Sequence, residues 1–430
     1  MESQPEKESS QSDKGHPKRR NLLKATAAGI AGTGISSARD VPTVEVPRFL
    51  GRDGVKEWME VPASWKRHLD SVKSKKEQLV TNLSEKPGRY RVGIIASCEG
   101  ETYGGKRGFQ LRVETEETHF HHVPDEAGGI SVATEQLGDY APACGTCSEC
   151  GVNQCHWPDT PGGASIMATY DEKTNYATAS CWVEKSGERQ LLTAAHIGGS
   201  YNPKENSPDY ELDIGDNIYQ GKLYYDSLGW IHRKIGEVTE FDQDADYMLI
   251  DNSSEYTHNP TDDIVDQSGN AKTVNGVADQ HAIADICCGG GLDGCDDICD
   301  SDDRKVYKSG ITSGVTDGWV KAFGLTRTDQ ITHEGHGVEF STFLADGDSG
   351  APVYIDNGSW VYLVASITGG DLHDTNICDD ARVHYPGIGT ASYHLRSKYN
   401  LTYDLDLSND PRCDSNTCDT DCDNWKIYTP

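Results

Sequence analysis

Apolar residues recur at helical spacing in one early stretch. Trp65, Leu69, Val72, Leu79 and Leu83 are separated by lysines and arginines, which predicts a helix over 64–83. Pro87-Gly88 ends it. Most of the remaining pattern has a period of two, or consists of short apolar runs bounded by turn residues. Strands are expected at 90–96 and 109–113, then at 167–170, 178–184 and 189–194, with a turn at Lys185-Ser186-Gly187-Glu188. Strands continue through 218–250, a second strand-rich stretch covers 304–390, and a short helix is expected at 391–400. An extended, Pro-containing linker precedes the long helix at 41–48. The pattern is that of a β-rich chain with one amphipathic helix near its beginning, and 45 glycines and 20 tyrosines suit many turns between strands.

At 430 residues there is room for two or three domains. The formal charge is −30, unevenly spread: residues 1–100 hold 18 basic against 13 acidic side chains, and the remainder 21 against 56. So acidic a surface argues against a nucleic-acid partner. It also resembles the surfaces of proteins from salt-loving microbes, where molar salt screens self-repulsion.

The 14 cysteines imply metal or redox sites in a reducing compartment and disulfides outside it. Export therefore decides their reading. Lys18-Arg19-Arg20-Asn21-Leu22-Leu23-Lys24 precedes a short apolar run and then Ser36-Ser37-Ala38, which resembles a twin-arginine export signal over 1–38. No stretch reaches the ~18 apolar residues needed to span a bilayer. An extracellular location and disulfides follow as expectations. On that reading Cys144, Cys147, Cys150 and Cys155, a set that could hold zinc, staple a domain junction instead. Cys287, Cys288, Cys295 and Cys299 likewise pin an acidic loop over 285–303, where clustered carboxylates would otherwise suit calcium. Cys413, Cys418 and Cys422 tie a tail, 406–430, back to the body. His119, His121 and His122 are read as strand residues facing alternate sides, so a structural role is expected. No cofactor or metal is expected, and the chain is expected to be a monomer.

The candidate chemistry centres on Gly347-Asp348-Ser349-Gly350-Ala351-Pro352, a serine between glycines on a turn between apolar runs. Small neighbours let a substrate backbone approach, and successive N–H groups can converge on one oxygen. A base and an orienting acid are available upstream, in Thr193-Ala194-Ala195-His196 and Asp246-Tyr247-Met248-Leu249. His196, Asp246 and Ser349 follow in that order at gaps of 50 and 103 residues. With Lys308-Ser309-Gly310-Ile311-Thr312-Ser313-Gly314-Val315, these motifs resemble the chymotrypsin-like serine peptidases, and more closely their secreted bacterial, streptogrisin-like branch. The resemblance covers residues 161–405.

That resemblance implies an all-β fold of two six-stranded antiparallel β-barrels, preceded by a small α+β domain over 39–160. It implies a His196–Asp246–Ser349 triad and an oxyanion hole from the N–H groups of Gly347 and Ser349. Asp348 would form a structural ion pair with Lys308, where the branch uses arginine. The substrate pocket would be lined by Phe343 and Leu344 and walled by Ser366, Thr368, Gly369 and Gly370. Its uncharged floor argues against Arg or Lys substrates. Cys181 lacks its usual disulfide partner, because Ile197 stands at that place. The partners expected are protein or peptide substrates. Residues 39–160 are either a propeptide that inhibits the enzyme intramolecularly or a permanent accessory domain. The alternatives to a secreted serine endopeptidase are a non-catalytic binding protein on the same fold and a secreted esterase. Ala351 at the last position of Gly-x-Ser-x-Gly disfavours the esterase.

Overall fold

The computed structural model describes residues 41–97, 102–142, 160–170, 173–202, 207–210, 212–226, 229–252, 260–265, 271–288, 304–328, 333–358, 360–377, 381–405 and 407. The export signal, the cysteines at 144–155 and 413–422, and nearly all of the acidic loop lie outside them. Pro42–Pro430 forms one compact unit.

The N-terminal part opens with a hairpin of β1 (Thr43–Gly51) and β2 (Gly54–Pro62), then α1 (Ala63–Ser84). The helix buries Trp65, Leu69, Val72, Lys76, Leu79 and Leu83, one residue per turn on one face. Strands β3 (Tyr90–Ala96), β4 (Phe109–Thr115) and β5 (Ile130–Gln136) follow, β3 antiparallel and β5 parallel to β4. A short strand, β6 (Tyr140–Pro142), ends this part. Between β4 and β5, residues Glu117–His122 form a 3-10 helix, not the strand expected there. The tight coil brings the His121 and His122 rings to 3.9 Å, and Glu116 pairs with His119. No group of three metal-binding side chains occurs among the described residues.

Seven strands of the next stretch form one antiparallel sheet, and Gly199–Asn202 and Ser207–Tyr210 pair separately among them. The seven are β7 (Ser165–Tyr170), β8 (Lys173–Thr178), β9 (Cys181–Lys185), β10 (Glu188–Thr193), β11 (Asn217–Asp226), β12 (Gly229–Asp242) and β13 (Tyr247–Ile250). Their order is β8-β7-β11-β12-β13-β10-β9. The β9–β10 turn is Ser186-Gly187, both left-handed at φ 55° and 85°, as a two-residue hairpin with right-handed strand twist requires. Ile166, Trp182, Leu191, Ile197, Ile218, Ile235 and Met248 form the core on one face of this sheet, together with Leu405. Leu192, Tyr247 and Leu249 on its other face pack with Leu363 and Leu395.

The remaining strands are β14 (Asp263–Val265), β15 (Ala271–Ala278), β16 (Val306–Gly310), β17 (Gly314–Gly318), β18 (Val320–Arg327), β19 (Gly337–Phe340), β20 (Leu344–Ala345), β21 (Pro352–Asp356), β22 (Trp360–Ile377) and β23 (Ala381–Ala391). Helix α2 (Gln280–Ile286) interrupts them and α3 (Ser392–Tyr399) closes the run. Pairing runs β17–β16–β21–β22–β23–β19–β18. It does not stop there. β18 pairs with β3 of the N-terminal part, and β15 pairs with β1.

The molecule is mostly β-strand, as expected. Two closed six-stranded barrels are not seen among the described residues. One sheet has seven strands in open order, and the other continues into the N-terminal part. Nor does the N-terminal part stand as a separate domain, because its core is continuous with that of the last strands. Trp65, Leu69, Val72, Val92 and Leu111 belong to one apolar cluster with Val320, Phe323, Phe340, Val353 and Ile367.

Candidate active site

Ala195–Gly198 forms a 3-10 turn directly after β10, and it carries His196 to the edge of its sheet. Asp246 sits at the entry to β13 with φ 51°, a left-handed turn held by the Ala245 N–H donating to Asp242 Oδ1 at 2.9 Å. The turn aims the carboxylate back at His196. Nδ1 of His196 lies 2.8 Å from Asp246 Oδ2 and 3.0 Å from Oδ1, and the His196 backbone N–H donates to Oδ1 at 3.0 Å. Nε2 of the same ring lies 2.6 Å from Ser349 Oγ. The three side chains are buried, so the hydrogen bonds act where water screens them little.

Ser349 reaches this place from the other sheet, on the loop between β20 and β21. Gly347 has φ 101°, and a Cβ there would stand 2.5 Å from Thr312 Oγ1, so only glycine fits. The Gly347 carbonyl accepts from Thr178 Oγ1 at 2.9 Å, and the Ser349 carbonyl accepts from the Thr178 N–H at 2.7 Å. Both contacts cross from one sheet to the other. With their carbonyls so engaged, the N–H groups of Gly347 and Ser349 have no hydrogen-bond partner among the described residues.

Asp348 points away from Ser349 into the protein. Lys308 Nζ lies 2.8 Å from Asp348 Oδ2, with both side chains fully buried. The carboxylate also accepts from the N–H groups of Thr312, Ser313 and Ala345 at 3.1, 3.3 and 3.0 Å and from the Ser313 hydroxyl. Burial pulls the Lys308 ammonium below its ordinary pKa, and the Asp348 charge opposes that shift. These contacts tie Asp348 to the Thr312-Ser313 turn and to Ala345 just ahead of the serine.

Of the residues expected to line a pocket, Leu344 is buried beside Gly387, and Phe343 is partly exposed. Ser366 is buried and donates to Gly350 O at 3.2 Å. Thr368 donates to Ile388 O, and it accepts from Tyr140 Oη at 3.1 Å. Gly369 and Gly370 pair antiparallel with Pro142 and Ala141 of β6. An adjacent buried pair was not anticipated: Asp346 Oδ1 stands 2.9 Å from His384 Nε2. Its only sequence signal is a second acid in Asp346-Gly347-Asp348. His384 lies 38 residues further on, so only strand pairing joins the two. Cys181 is a buried free thiol, consistent with Ile197 standing where a partner would be, and no disulfide occurs among the described residues.

No family model matches the sequence, and no curated protein matches it. Solved structures do. A glutamic-acid-specific serine protease described as using a histidine triad in substrate binding is 19% identical; the match spans 56% of this chain and 98% of that one, at a TM-score of 0.35. Thermobifida fusca protease A is 15% identical, over 56% and 97%, also at 0.35. Cellulomonas bogoriensis chymotrypsin is 14% identical, over 57% and 97%, at 0.34.

Proposed function

We propose that this chain is a secreted serine endopeptidase of chymotrypsin-like fold, and that His196, Asp246 and Ser349 are its catalytic residues. The observation that carries the reading is the unbroken relay from Asp246 through both ring nitrogens of His196 to Ser349 Oγ. In the reaction Oγ attacks the peptide carbonyl carbon as His196 Nε2 takes its proton. The carbonyl oxygen, now an oxyanion, is received by the N–H groups of Gly347 and Ser349. The C–N bond then breaks as Nε2 returns the proton to the leaving amine. Water enters by the same route, and Ser349 is released from the ester. Asp246 holds the tautomer with Nδ1–H and stabilises the imidazolium.

The ion pair of Asp348 with Lys308 keeps the oxyanion loop in shape. Phe343, Leu344, Ser366, Thr368, Gly369 and Gly370 line the peptide-binding cleft. The substrates are proteins or peptides, the route out of the cell is the twin-arginine one, and the acidic surface suits high salt. Hydrolysis of casein in molar salt, with fluorophosphonate labelling, tests the activity. Both are expected in the wild type and absent in Ser349→Ala. Labelling with hydrolysis of lipid esters but no peptide would replace the endopeptidase by an esterase. No labelling of folded, active-site-accessible protein would leave a binding protein.

A further inference from the structure

A cavity of about 450 Å³ is formed where α1 meets β3, β18, α2, the turn His333–Gly335 and α3. None of its lining residues belongs to the proposed active site. Its volume is that of a small-ligand site. The wall is of two kinds. Val80, Ile94, Phe323 and the Tyr393 ring supply apolar surface, and Lys73 and Lys76, one turn apart on α1, supply two ammonium groups. The two kinds meet at Gly324, where a Cβ would stand 3.6 Å from Ile94 Cδ1 and 3.7 Å from Lys76 Nζ. A Cβ on Gly335 would stand 3.3 Å from the same Nζ, so two glycines leave room around that ammonium.

These ammonium groups lack partners of opposite charge. Lys76 donates to Gly324 O at 2.6 Å, Gly335 O at 3.0 Å and Thr326 Oγ1 at 3.3 Å, which spends its three donors on neutral oxygens. Lys73 donates to Gln280 Oε1 at 2.7 Å and has two donors left among the described residues. Neither lysine forms an ion pair with a described carboxylate. The acids nearby are engaged elsewhere or wet. Glu334 is held by His394 Nε2 at 2.5 Å and by Lys398, and Asp70 pairs with Lys66. Asp279 caps α2 through the His281 N–H, and Glu77 is exposed to water, which screens it. His336, whose Nδ1 lies 2.9 Å from the Tyr393 hydroxyl, adds no charge, because burial lowers its pKa to about 3. Burial outweighs the attraction of the acids at both lysines and pulls them down to about 8. Buried charge is ordinarily paired, and here the pairing group is missing from the chain itself.

We infer that this cavity binds a small organic carboxylate, its oxygens at Lys73 and Lys76 and its apolar body against Ile94, Phe323 and Tyr393. The carboxylate takes the two remaining donors of Lys73 and sits in the field of Lys76. An inorganic anion would leave the apolar wall wet, and a neutral amide would leave both charges unmatched. In a chain of formal charge −30 the site is a local exception, so an anion is accepted here and repelled by most of the surface. A bound carboxylate also joins α1 to β18 and α3, segments far apart in sequence, and therefore stabilises the fold.

The test is calorimetric titration of the full chain with phenylacetate at constant chloride, with phenylacetamide and sulfate as controls. Phenylacetate is expected to saturate one site, and both controls to bind at least about tenfold more weakly. Lys73→Met, in a chain of unchanged circular dichroism, is expected to lose about tenfold in phenylacetate affinity. Lys76→Met would also remove three structural hydrogen bonds, so Val80→Phe is the second variant. It fills the cavity, keeps both charges and is expected to abolish binding. The rise in melting temperature with phenylacetate should disappear in both variants. Phenylacetamide binding as tightly as phenylacetate would overturn the carboxylate, and sulfate binding as tightly would leave an adventitious anion patch only. Wild-type affinity in both folded variants, or no saturable binding at all, would overturn the site. None of these readouts needs hydrolysis, so they stand apart from the peptidase reading.

Discussion

The two sheets that meet at the candidate active site are built differently. The sheet that supplies His196 and Asp246 buries one face in a core that runs from Ile166 to Met248 and takes in Leu405. Its other face, with Leu192, Tyr247 and Leu249, packs with Leu363 and Leu395. The sheet that supplies Ser349 leans on the N-terminal part: Ala351 and Val353, just beyond the serine, share a cluster with Trp65, Leu69 and Val92. The candidate base and acid therefore sit on a sheet whose clusters leave out the buried stripe of α1, whereas the candidate nucleophile sits on one completed by the N-terminal part. A disturbance far from the cleft in residues 42–136 should reach Ser349 before it reaches the His196–Asp246 pair.

The largest effect is expected at the shared point of the two sheets. Ser349→Ala should lower peptide hydrolysis by ~10⁴–10⁶-fold without changing the melting temperature by more than a few degrees. Retained hydrolysis would break the assignment on the Ser349 side. Asp246→Asn should cost about 10⁴-fold by presenting the wrong imidazole tautomer, with binding of a peptide to the folded protein unchanged. A loss below tenfold would mean that the His196 side does not orient its base as its geometry implies.

Packing should separate the two supports next. Leu69→Ala and Met248→Ala each remove a buried side chain, and each should cost about 2–5 kcal/mol in denaturant unfolding. Under partly denaturing conditions Leu69→Ala should expose Ser349-side amides to hydrogen exchange while the β10–β13 pair stays protected. Met248→Ala should do the reverse. Simultaneous exchange of both sheets in both variants would show that the two supports are one.

The smallest effect concerns pH. Burial pulls both Lys73 and Lys76 of α1 down to about 8 from the ordinary lysine value of 10.5. Between about pH 8 and 10.5 the unfolded chain therefore holds more protons than the folded one, and stability rises with pH across that window. Thermal melts at pH 7.5 and 9.5 should show this contribution as an upward shift, reduced in Lys76→Met. An unchanged slope in that variant would remove Lys76 as its source.

Much of this architecture was legible along the chain. Period-two runs marked the strands, and the helix expected at 64–83 is α1, Ala63–Ser84. The order and setting of His196, Asp246 and Ser349 singled them out, because a base, an acid and a nucleophile on turns between strands leave a local trace in residue type. Where a local pattern had two meanings the reading failed: the three histidines near 120 alternate as well in a tight coil as in a strand.

What the sequence by itself determined is the type of most elements and which side chains are candidates for the chemistry, since both depend on neighbours a few residues apart. Only the tertiary structure decided what those elements face. Lys76 fills the place in the helical stripe between Val72 and Leu79 and reads as solvated, yet it is buried, donating to Gly324 O at 2.6 Å and Gly335 O at 3.0 Å, some 250 residues away. The pairing of β6 with β22 and the contact of Asp346 with His384 are likewise products of strand register between distant segments. Register is set by burial of whole faces and by main-chain hydrogen bonds, which carry almost no side-chain signature. For that reason the candidate side chains could be read from the chain, but not which distant segments pair beside them.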